Sequence, residues 1–189
     1  MQLLSLPAIK DGFVRFIKDR QTRGFLFSVV IMAIISIAFF YPDNFEGNDL
    51  RQHDMVQGMA NGQETKLYEE ATGQQSRWTN ALFSGMPTFQ ISPAYPSNSL
   101  FAWFTKVYGL GLPSPSNLLF MMMVGFMILM MTMRVRWEYG LIGAIAWGFS
   151  TYFIIIIGAG HIWKFVTLAY IPPTIAGIVL AYRGRYLAG

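Results

Sequence analysis

Apolar runs longer than any small soluble core can hide set the terms for this chain. Residues 24–41 are uncharged and end Ile34-Ile35-Ser36-Ile37-Ala38-Phe39-Phe40-Tyr41, and residues 118–133 read Leu-Leu-Phe-Met-Met-Met-Val-Gly-Phe-Met-Ile-Leu-Met-Met-Thr-Met. Two further runs lie near 139–157 and 164–182. Segments of about eighteen or more apolar residues are read as bilayer spans. With 53% hydrophobic and 13% charged residues in 189 positions, one soluble domain has too little polar surface to cover its core. Cysteine is absent, which excludes disulfides and thiolate metal sites. The expected fold class is an all-α membrane protein with four transmembrane helices, at 24–41, 117–133, 139–157 and 164–182, and a long, partly helical first external loop.

Charge orients the spans. Lys10, Arg15, Lys18, Arg20 and Arg23 precede the first, Arg134 and Arg136 lie between the second and third, and Arg183 and Arg185 follow the fourth. Placing segment 1–23, the 134–136 turn and the 183–189 end in the cytoplasm puts most of the basic residues inside, the pattern that sets membrane topology. The net charge of +4 therefore reflects topology, and no nucleic-acid partner is expected. Ile9, Phe13, Phe16 and Ile17 recur at helical spacing, so 1–23 is either a basic amphipathic helix on the membrane or a solvated tail. The partner common to either reading is the lipid bilayer.

The 42–116 loop and the 158–163 turn then share the external side. Asp43, Glu46, Asp49, Asp54, Glu64, Glu69 and Glu70 all lie in the loop. Asn48 or Asp49 is a plausible cap for a helix through Ala60. On that helix Met55, Val56, Met59 and Ala60 cluster, with Asp54 almost opposite. A second helix is expected over 63–71, stopping at Thr72-Gly73. An irregular stretch at 74–96 follows, and then an aromatic amphipathic segment (Leu100, Phe101, Trp103, Phe104, Val107, Tyr108) suited to the membrane interface. Pro172-Pro173 should kink or break the fourth span.

Asp54, with His53, Asp49 and Glu46, is the best acidic constellation, able to act as a general base or to hold a divalent cation. Solvated loop carboxylates are the plain alternative. His161 and Lys164, three residues apart at the mouth of the fourth span, suit a phosphate, or are an interfacial histidine and a snorkelling lysine. The Arg77-Trp78-Thr79-Asn80 cluster binds a sugar by stacking and hydrogen bonding, or only folds the loop.

Three strings, in order and interleaved with these spans, carry a resemblance: Gln52-His53-Asp54-Met55-Val56-Gln57-Gly58-Met59-Ala60, Trp78-Thr79-Asn80-Ala81-Leu82-Phe83-Ser84-Gly85-Met86-Pro87, and Gly158-Ala159-Gly160-His161-Ile162-Trp163-Lys164. Together they resemble the N-terminal portion of the YfhO family of bacterial multi-pass membrane proteins, which is similar to GT-C glycosyltransferases. The resemblance implies a bacterial cytoplasmic-membrane enzyme that transfers a sugar from a polyprenyl-phosphate donor to a cell-envelope acceptor on the outer face. It makes Asp54 the essential acid of the first external loop and Asp49 the alternate. Lys164, with Arg77 or Arg51 in reserve, would stabilise the departing phosphate. Metal dependence stays open, because the 158–164 turn has no carboxylate. Such proteins have more spans, so the chain is expected to be the front of a longer one. A transporter or flippase of lipid-linked precursors and a non-catalytic assembly protein are the other function classes.

Overall fold

The computed structural model describes residues 19–46, 48, 50–91 and 99–187. Asp49 and most of the basic 1–23 segment, with its expected surface helix, lie outside the described residues. The first long helix, α1 (Arg20–Phe39), begins four residues before the apolar run. Asp19 starts it, accepting from the Thr22 amide at 2.9 Å. It gives way at Phe40 to a short helix, α2 (Tyr41–Phe45), which Pro42 opens. The buried face of α1 is Gly24, Ser28, Met32 and Ser36, spaced by four so that they stack on one side. Each serine hydroxyl donates within its own helix, Ser28 to the Gly24 carbonyl at 2.7 Å and Ser36 to that of Met32 at 2.8 Å. Small side chains thus permit close packing without leaving a buried hydroxyl unpaired. A Cβ on Gly24 would stand 2.1 Å from the Trp137 ring, so the indole requires glycine there.

The 42–116 loop holds α3 (His53–Asn61) and α4 (Gln63–Thr72), which ends on the left-handed Gly73. Its stretch expected to be irregular contains a small antiparallel pair, β1 (Trp78–Thr79) and β2 (Met86–Pro87), a departure from the all-α expectation. The aromatic segment is α5 (Ser99–Tyr108).

Next comes α6 (Ser116–Thr132), the most enclosed element of the bundle. Leu119, Met121, Met122, Met123 and Met127 have no exposed surface, and α1, the following helix α7 (Trp137–Gly148) and the last helix, α9 (Ile162–Tyr182), all pack against it. A helix apolar on every side belongs inside. Met121, Met122, Met123 and Met127 are thus packing residues, whereas Met133 is exposed. The expected third span is broken: α7 is followed by α8 (Thr151–Ala159) at an angle of 45°. Ser150 is extended there, with ψ 133°, and starts α8. The backbone at Gly148 fits so closely against Met123 that a Cβ would meet it at 2.4 Å.

Among the described residues two helices, α1 and α9, are long and apolar enough to cross a membrane, and the bent α7–α8 pair makes a third if it acts as one span. At 17 residues α6 is shorter, about 25 Å against a hydrocarbon core of roughly 30 Å. The described residues are therefore mostly helical with two or three candidate spans, where the sequence suggests four.

Pro172-Pro173 neither breaks nor ends α9. Proline has no N–H, so Pro173 deprives the Ala169 carbonyl of its helical donor. The Tyr108 hydroxyl supplies one, lying 2.9 Å from that carbonyl and 2.9 Å from the Met121 carbonyl of α6. A Cβ on Gly125 would approach the same hydroxyl to 2.2 Å, so the glycine makes room for it. The end of α5 is thus drawn between α6 and α9, while Leu100, Trp103, Phe104 and Val107 stay exposed. The segment is amphipathic as the sequence suggests, and Tyr108 adds an anchor in the bundle that the aromatic pattern does not reveal.

Tyr108→Phe should therefore lower stability by about 1–2 kcal/mol in thermal unfolding of the detergent-solubilised protein. In a Pro173→Ala background, which restores the helical donor, the same substitution should cost measurably less. An equal loss in both backgrounds would dissociate Tyr108 from the proline.

Candidate functional site

Two of the three sequence strings meet at the end of the bundle that carries the long loop. The C-terminus of α8 closes with the Gly160 amide on the Ile157 carbonyl and the His161 amide on that of Ile156, both at 3.1 Å. This closure needs a left-handed residue, and Gly160 provides it at φ +92°. The absent side chain also admits α3: a Cβ at Gly160 would lie 2.9 Å from Gln52 Cβ and 3.2 Å from the Met55 amide nitrogen. Gln52 then donates its side-chain amide to the Ile157 carbonyl at 2.5 Å, fixing the start of α3 to the end of α8. The expected caps, Asn48 or Asp49, are replaced by Gln52 at that position, without a side-chain capping bond.

Docked this way, α3 turns Asp54 towards the 158–163 turn and leaves Met55, Val56 and Met59 exposed. Asp54 Oδ2 lies 2.9 Å from His161 Nδ1, with the His161 and Asp54 side chains 49% and 41% exposed. A carboxylate facing an imidazole nitrogen at this distance accepts a hydrogen bond, so Nδ1 carries the proton. Nε2 then presents its lone pair, and it has no hydrogen-bond partner among the described residues. A pair this exposed contributes only about 0–1 kcal/mol to folding. Its chemical consequence is an oriented base open to solvent. Three residues on, Lys164 is exposed, with its ammonium 5.3 Å from the Tyr152 ring centroid.

The other candidates are placed apart from this pair. His53 opens α3 and is exposed, and Arg51, also exposed, precedes it. Glu46 accepts from the Asn48 side chain at 3.2 Å. Asp49 lies outside the described residues. Trp78 donates its indole N–H to Asn80 at 3.3 Å and covers Gly85, while the Arg77 carbonyl accepts from the Thr88 amide at 3.1 Å. These residues build the hairpin. Its tie to the helices is Glu64, which sequence reasoning gave no role. One oxygen, Oε2, accepts from the Thr79 hydroxyl, the Asn80 amide at 2.8 Å and the Ala81 amide at 3.0 Å. The Thr79 hydroxyl first, then the Asn80 amide, hold this carboxyl below the ordinary glutamate range.

Beside the turn, a crevice of about 340 Å³ opens between α5, the start of α6 and the first turns of α9. Phe101, Leu112, Ile162 and Trp163 give it apolar walls, and Thr105, Lys106, Ser114 and Asn117 are polar residues in its lining. Among the described residues, no three of His, Asp and Glu converge as metal ligands. No protein-family model, curated protein or solved structure matches the chain.

Glu64 generates a pH prediction. Its folded value is depressed, so its hold on the hairpin is complete above the ordinary glutamate range and is lost as pH falls through the lowered value. The amide resonances of Asn80 and Ala81 should titrate with a midpoint below that range, and Glu64→Gln should abolish the titration. A midpoint at the ordinary value would contradict the clamp.

Proposed function

We propose that this site belongs to a GT-C-like membrane glycosyltransferase of the kind the YfhO resemblance implies. It would transfer a sugar from a polyprenyl-phosphate donor to a cell-envelope acceptor on the outer face of the membrane, in a four-span arrangement. The observation that carries the reading is the Asp54–His161 pair, formed by two strings more than a hundred residues apart. In this mechanism Asp54 orients the imidazole, and His161 Nε2 takes the proton of the acceptor hydroxyl as its oxygen attacks the anomeric carbon. The bond from that carbon to the phosphate oxygen breaks, and the electron pair leaves with the polyprenyl phosphate. Lys164, one helical turn from His161, offsets the charge that develops there. The apolar crevice beside Trp163 suits the isoprenoid portion of the donor.

A second reading, transport of lipid-linked precursors, draws on the 45° break between α7 and α8, since interrupted helices line many transporter sites. Sugar transfer and lipid translocation are separable in one preparation.

Radiolabelled sugar transfer in membranes carrying the full-length protein tests the assignment. His161→Asn keeps a donor near the Nδ1 position and removes the base at Nε2, so it should lower transfer by about 10²–10⁴-fold, and Asp54→Asn should also impair it. Activity retained in His161→Asn but lost in Asp54→Asn would make Asp54 itself the base. Full activity in both would end the proposal.

A further inference from the structure

At the opposite end of the bundle a cleft of about 890 Å³ opens between α1, α6 and α9. Arg134, Arg183 and Arg185 line it, and no carboxylate does among the described residues. Its walls include Phe25, Met131 and Leu180. The nearby acid Glu138 is engaged elsewhere, accepting from Arg20 and from Arg136 at 3.0 Å each.

The two helix ends that carry these arginines are built alike. In α6 the Arg134 amide bonds the Met131 carbonyl and the Val135 amide that of Met130, both at 3.0 Å. In α9 the Gly184 amide bonds Ala181 and the Arg185 amide bonds Leu180, both at 2.9 Å. Each closure places one residue in the left-handed region, where glycine is favoured. The α9 residue is Gly184 at φ +76°, whereas the α6 residue is Arg134 at φ +62°. Arginine there carries a backbone cost that glycine avoids, and its side chain lines the cleft. Arg183 joins the two ends through the Thr132 carbonyl at 2.5 Å. Capping thus accounts for Arg183 and leaves Arg134 and Arg185 for another role.

We propose that this cleft binds the phosphodiester headgroup of an anionic phospholipid. Guanidiniums and phosphate pair in geometry and charge, and Leu180 lies one helical turn, roughly 5 Å, deeper than the Arg183–Arg185 turn. Cations at headgroup level above an apolar wall match the order of charge and hydrocarbon in a lipid. Basic pockets between membrane helices take such headgroups. The site is independent of the sugar-transfer reading.

The test counts retained lipids by native mass spectrometry on the full chain, released from nanodiscs containing equal phosphatidylglycerol and phosphatidylcholine. Phosphatidylglycerol should be enriched on the protein, and Arg134→Gly and Arg185→Gln should each weaken it roughly fivefold. Arg136→Gln, whose partner is Glu138, should leave retention unchanged. Arg134→Gly should also melt no lower than the parent, because glycine relieves the backbone there. Equal retention of the two lipids, or retention unaltered in both cleft variants, would overturn the proposal and leave the cleft to a covering protein segment. Displacement of the lipid by millimolar inorganic phosphate would overturn it in favour of a free-anion site.

Discussion

The burial of α6 on every side from Leu118 to Gly125 is the constraint from which the bundle follows. A helix whose Leu119, Met121, Met122, Met123 and Met127 are all enclosed needs neighbours around its whole circumference, and α1, α7 and α9 provide them. Close approach demands small residues at the crossings. Gly24 and Ser28 on α1, Gly125 on α6 and Gly140 and Gly148 on α7 occupy such points. Long unbranched methionines fill the irregular spaces between these backbones. In lipid, where apolar side chains gain little by leaving their surroundings, packing and satisfied backbone groups carry the association. The Tyr108 hydroxyl, placed on the carbonyl that Pro173 leaves without a helical donor, is the clearest instance.

The same principle shapes the loop end. Gln52 spends its amide on a helix-terminal carbonyl, and Gly160 permits the approach, so α3 is seated by backbone chemistry rather than by an apolar core. Asp54 and His161 contribute little to that seat, because both are half exposed. Their alignment follows from the docking of α3 on the end of α8. Glu64 performs the corresponding service for the hairpin through three donors on one oxygen.

Periodicity and hydropathy made α1, α4, α5 and α9 legible nearly to their ends, and the wheel of α3 correctly set Asp54 apart from Met55, Val56 and Met59. Long-range satisfaction was not legible. Nothing local in Gly148-Phe149-Ser150 signals a 45° break, and the close fit of Gly148 on Met123 beside it is a tertiary contact that the local sequence does not show. Pro172-Pro173 suggested a broken helix because the rescuing Tyr108 lies more than sixty residues away. At the candidate site, Asp54 and His161 stood in separate strings, and Lys164 was expected to meet the departing phosphate rather than Asp54. What seats the pair is Gln52 and Gly160, residues inside those strings whose types carry no chemical signal of their own. Asp49 had the appeal as a cap that Gln52 lacks, yet Gln52 stands at the start of α3 and gives its side-chain amide to the Ile157 carbonyl instead.

The account turns on the hydrogen bond that orients the His161 ring. The chain has only two histidines, so ¹⁵N spectroscopy of the imidazoles resolves them, with His53→Gln assigning the pair. The ring of His161 should show a protonated Nδ1 and a bare Nε2 when neutral, and Asp54→Asn should abolish that preference. A neutral ring protonated at Nε2, and indifferent to Asp54→Asn, would contradict the account.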